Sequence, residues 1–153
     1  MPIAAIAGWQ ALRKSREAVL TDKSGVQCRW IYEAILAHAY QSPLFPSPDA
    51  FPQNSPAWSQ ALLESRQIDA SWLTSPLCRD RPVAVSYYYF RPTLAHNSVD
   101  ELLILENPQL HDSRRAWGAF SKRGLVMLEG DDLWNAVDGR IASDGTVFKR
   151  PAK

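Results

Sequence analysis

The chain has 153 residues, 46% of them hydrophobic and 22% charged, with a formal net charge of +1. These values fit one globular core over residues 1–153, and they exclude wholesale disorder and a second large domain. Lys and Arg are spread along the chain rather than gathered in a basic stripe, which argues against a nucleic-acid partner.

The first segment, residues 3–20, carries apolar residues at Ile3, Ile6, Ala7, Trp9 and Leu12, followed by Arg13, Lys14 and Arg16. The spacing predicts an amphipathic helix. Charges that follow the apolar stretch are the reverse of a signal peptide, and no run reaches the ~18 apolar residues that cross a bilayer. A cytoplasmic location with no membrane partner is therefore expected. Residues 21–25, ending in Gly25, read as a break, and a second helix is predicted over 26–41 with Ser24 as its N-cap. On that helix Cys28, Ile31, Ile35 and His38 share one face.

Residues 42–56 hold five prolines, a density that leaves only an ordered loop or flap. Ser55-Pro56 opens a short helix to about residue 67, and 69–73 adds a turn, so that the first 75 residues are helical. From Pro82 onward the composition favours strands to about residue 150. Residues 83–90 are β-branched and aromatic between two prolines, 101–106 is a second strand, and 125–129 a third. Residues 112–122 suit either a helix or a strand around 116–120, and residues 131–137 are left open. Asp144-Gly145 closes a hairpin between 140–143 and 146–149. The expected class is α+β, with helices packed on an antiparallel meander. On the strand over 83–90, Tyr87 and Tyr89 would face the core and Tyr88 would point to water or a ligand.

Chemistry is scarce. Cys28 and Cys78 are too few for a disulfide framework, and no CxxC or HxxxH spacing offers a metal site, so neither a metal nor another cofactor is expected. The carboxylate pairs Asp131-Asp132 and Asp100-Glu101 lie beside turn residues and read as solvated turns. Cys28 is more interesting. In the first turn of a helix, unpaired N–H groups and the helix dipole favour the reactive thiolate. The commoner fate of a free cysteine is burial as a small hydrophobe. A nucleophile also needs a base, and His38 lies about 15 Å along the same helix. That leaves His96 and His111.

The stretch SGVQCRWIYEAILAHAY resembles the nucleophile helix of papain-like amidohydrolases, the group that includes transglutaminases and protein-glutaminases. YYYFRPTL, ELLILENPQL and RRAW are similar in layout to that group's second half. There, a strand with a Tyr-His-x-x-Pro-like motif precedes a strand ending in Asp-Pro, with a Trp shortly after. The resemblance covers roughly residues 24–117 and implies a papain-like shape with Cys28 as nucleophile. It sets Tyr89 at the family's histidine and Asn107 at its orienting aspartate. Asparagine can orient an imidazole, but tyrosine holds its proton at neutral pH and cannot be the base. Catalysis would then need His96 or His111 from elsewhere.

Two readings follow. The first is a non-catalytic adaptor or inhibitor that binds another protein through exposed aromatics: Phe45 and Phe51 in the proline-rich loop, with Trp58, Trp72 and Tyr88. The second is a cysteine amidohydrolase or protein deamidase using Cys28, His96 or His111, and Asn107. The neutral charge, the aromatic surplus and the displaced histidine favour binding.

Overall fold

The computed structural model describes residues 3–40, 48–93 and 100–152. Helix α1 runs from Ile3 to Ala39, 37 residues without interruption. The expected break at 21–25 does not occur, because good helix formers on both sides carry the hydrogen-bond ladder through it. Gly25 is there for a different reason. A Cβ at this position would lie 2.6 Å from Cε2 of Trp117, so only a glycine lets the helix seat against the sheet at this point.

A short helix α2 (Gln60–Glu64) and 3₁₀ turns at Pro48–Ala50, Ala70–Leu73 and Pro76–Arg79 complete the first half. The sequence expectation overextends α2, whose start is delayed by turns after Pro56.

Four strands, β1 (Tyr87–Tyr89), β2 (Leu102–Glu106), β3 (Arg115–Phe120) and β4 (Gly124–Glu129), form an antiparallel sheet in the order β1-β2-β3-β4. The fold is α+β, with α1 packed on a meander. Strand β1 is shorter than the apolar run 83–90. Tyr87 pairs with Glu106, the last residue of β2, and Ser86 O accepts from Asn107 N at 2.7 Å. Residues before Ser86 run past the end of their neighbour and have no strand to pair with. Within residues 112–122 the strand alternative forms, as β3 over Arg115–Phe120, preceded by the 3₁₀ turn Pro108–His111 and two positive-φ residues, Asp112 and Ser113. Residues 131–137 form helix α3 (Asp131–Val137), which places Asp131 and Asp132 in a first helical turn rather than in a loop.

The sheet is covered on both faces. Cys28, Ile31 and Ile35 of α1 pack over Ile104, Tyr87, Tyr89 and Ala119. On the other face Leu133 and Val137 of α3, with Ala142 and Phe148, cover Leu105, Ala116, Phe120 and Leu128. Every residue of the central strand β2 is buried, which explains why LLILE is continuously apolar up to its last position. The predicted hairpin is reduced to one bridge, Ile141 with Val147, tethered to the edge of β1 by Ser143 N to Tyr89 O at 2.8 Å.

Candidate functional site

Cys28 lies in the middle of α1 rather than at its start, so it gains nothing from a helix N-terminus. Its thiol is fully buried, and burial, with the nearby Glu106 carboxylate second, pushes its pKa well above the ordinary value. A nucleophilic cysteine needs the opposite shift. Among the described residues no hydrogen bond joins Cys28 to a histidine. His96 lies outside the described residues. His111 is engaged elsewhere, its Nε2 2.7 Å from Glu106 Oε1.

Asn107 is also committed to structure. Its Oδ1 accepts from Gln109 N at 2.9 Å, capping the 3₁₀ turn, and its Nδ2 donates to Val85 O at 2.8 Å. Tyr89 donates its hydroxyl to Pro52 O at 3.0 Å, and burial raises its phenol far above the usual range. Among the described residues no hydrogen bond links Cys28, Tyr89 and Asn107, the positions implied by the papain-like resemblance, to one another.

What converges instead is a buried polar cluster under α1, centred on Glu106. This carboxylate closes β2 with no exposure to solvent. Oε1 faces His111 and accepts from Trp117 N at 3.1 Å, and Oε2 accepts from Ser24 Oγ. Ser24 Oγ also lies 2.7 Å from Ser75 Oγ and 3.0 Å from Tyr87 OH. Tyr87 donates to Ser24 O at 2.9 Å, and burial drives its phenol far up. A carboxylate is costly to bury unless its lone pairs are filled, and here Ser24 of the helix and Trp117 N of the sheet donate to it while the turn Pro108–His111 brings His111 against it. The sequence offers one signal for this cluster: a lone glutamate ending an apolar run. Ser24 carries none, since in the sequence it reads as an ordinary helix cap.

His111 Nδ1 is buried without a partner. The ring borders a cleft of about 400 Å³ lined with Arg81, Arg114 and Arg115 against Glu17, Asp112 and Glu129. Arg81 pairs with Asp112 at 2.6 Å and Arg115 stands opposite Glu129 in the sheet register. The cleft's charges are thus compensated, and it does not present a net positive site for an anion. Among the described residues no three His, Cys, Asp or Glu side chains are grouped to hold a metal.

The aromatic anchors need correction as well. Phe51 and Trp58 are buried, the latter stacked on Tyr89 at 5.0 Å between centroids. Tyr88 packs edge-on against Phe148 at 4.9 Å, so the side expected to be wet is covered by the C-terminal segment. Trp72 is half-buried beside Trp30, and Phe45 lies outside the described residues. Distance along the sequence hid these contacts.

The longest series of exposed apolar residues is on α1, with Ile141 and Val147 a separate exposed pair in the C-terminal segment. From Ala5 to Arg16 the helix is exposed on every side, projecting beyond the sheet. Trp9 is 64% exposed, Leu12 68% and Val19 51%, and Val26 and Trp30 continue the series. At 100° per residue Leu12, Val19, Val26 and Trp30 form one stripe on the side of α1 facing away from the sheet. No helix is long and apolar enough to cross a membrane among the described residues. Comparison with protein-family models, curated proteins and solved structures finds no match to this chain.

Proposed function

We propose that this chain is a non-catalytic interaction protein whose docking element is the outer face of α1. The observation that carries the reading is the exposure of Trp9, Leu12 and Val19 on a helix that projects past its own sheet. Large apolar side chains exposed in a row, rather than singly, mark contact surfaces, and tryptophan is enriched among interface anchors. The burial of Cys28 and the capping role of Asn107 favour this reading over the amidohydrolase alternative.

The test compares the parent with a Trp9→Ser/Leu12→Ser/Val19→Ser variant, each immobilised and exposed to polypeptides from the native host. Polypeptides held by the parent and lost by the variant, at equal thermal stability, are the expected result. An identical set on both baits would refute the reading.

A further inference from the structure

The outer stripe of α1 has an internal symmetry. Leu12, Val19 and Val26 recur at seven-residue spacing, about 21 Å from first to last at the helical rise. We infer that the stripe's partner is a second copy of this chain, paired antiparallel about a two-fold axis through Val19. This rests on the reading of α1 as the docking element and specifies what docks.

Size and charge both favour the antiparallel arrangement. A two-fold axis at Val19 sets Leu12 of one copy opposite Val26 of the other, twice over, with the two Val19 side chains meeting at the centre. It sets Gly8 opposite Trp30. Gly8 has no atom within 4 Å of the place a Cβ would occupy, so the indole meets open space. It also sets Arg16 opposite Asp22, giving two ion pairs across the axis. Both side chains are exposed, and among the described residues Arg16 pairs with Asp80, at 3.4 Å, within its own chain. Parallel pairing in register would instead set Arg16 against Arg16 and Asp22 against Asp22, which repel. An isologous contact of this kind closes as a dimer and leaves no unpaired surface to propagate.

Disulfide trapping tests the geometry in a Cys78→Ser background, where the remaining Cys28 is buried in the core. Val19→Cys should cross-link to itself. Leu12→Cys and Val26→Cys should fail to cross-link alone and should cross-link to each other when mixed. Light scattering should give twice the 17.2 kDa chain mass for the parent, and the single-chain mass for Val19→Asp. Arg16→Glu should weaken association about tenfold, and Arg16→Glu with Asp22→Arg should restore it. Val19 is on the surface, and a thermal melt matching the parent's shows that Val19→Asp still folds. Self-cross-linking of Leu12→Cys would overturn the antiparallel pairing. So would a parent that stays monomeric. If that monomer still holds another protein through the stripe, only the self-pairing is refuted; if it holds none, the docking role of α1 falls as well.

Discussion

Replacing Gly25 with alanine should destabilise the protein, although the same change in a free helix stabilises it. In an isolated helix the substitution gains about 1 kcal/mol from backbone entropy. Here the new methyl would sit 2.6 Å from Cε2 and 2.8 Å from Nε1 of Trp117. Carbon atoms in contact prefer about 3.5–4.0 Å, so roughly 1 Å of relief is required. Two movements could supply it. The indole can retreat, but its Nε1 donates to Thr21 O at 2.9 Å, one turn earlier on the same helix, and that bond would break. Alternatively α1 can lift, which loosens the packing of Cys28 and Ile31 over the sheet. Overpacking of this kind costs about 1–3 kcal/mol, and a lost hydrogen bond about 1 kcal/mol more. After the propensity gain is subtracted, a net loss of about 1–3 kcal/mol is expected, or about 2–12 °C in Tm for a domain of this size. Urea unfolding followed by helical circular dichroism and tryptophan emission would measure it. A Trp117→Leu background supplies the control, because Gly25→Ala should become neutral or stabilising once the indole is gone. If Gly25→Ala alone leaves stability unchanged or raises it, the close approach of α1 to β3 is wrong.

Three further outcomes follow from the same contacts. Glu106→Ala strips the shared acceptor from Ser24, His111 and Trp117 N and should cost about 3–5 kcal/mol, with Glu106→Gln milder; a loss below about 1 kcal/mol in a denaturant titration would show that the cluster is not cooperative. Cys28 should react with iodoacetamide more slowly than half-buried Cys78 in the native protein, and at a similar rate in denaturant, as peptide mapping would reveal; faster reaction of Cys28 would revive the nucleophile reading. The Asp100 carboxyl pays for some burial yet is held below its ordinary 3.8 by Lys122 N, by Arg123 N and by the Arg123 guanidinium. A lowered folded-state pKa means that its stabilisation is present above about pH 3.8 and is lost as pH falls through the folded value. Asp100→Asn should therefore melt below the parent at neutral pH, with the two curves converging in acid; a constant gap down to low pH would count against this role.

The strand half was largely legible because its signals are local. β2 is marked by an apolar run ending at Asn-Pro, and β4 by a short apolar run, while turn residues fix the ends of both. Alternation also placed Tyr87 and Tyr89 in the core correctly. Fold class followed from the change of composition after Pro82. By contrast, Gly25 has two opposite meanings in sequence: the end of a helix, or a place where another element presses close. Only the position of Trp117, far along the chain, decides between them. That single ambiguity split α1 in two and put Cys28 at a helix start.

The candidate site depended on the same kind of information. Sequence determined that this chain has few reactive groups, one free cysteine ending up as a small apolar residue being the common outcome, and an excess of aromatics. It could not determine which aromatics are covered. Phe51 and Trp58 are buried, Trp58 against Tyr89 of β1, whereas Trp9 and Leu12 stay exposed because α1 outruns the sheet. Burial is set by what arrives from elsewhere in the chain, and helical periodicity shows that a face is apolar without showing what it meets. The tertiary structure alone decided that one face of α1 is filled by the sheet and that the opposite one is left open.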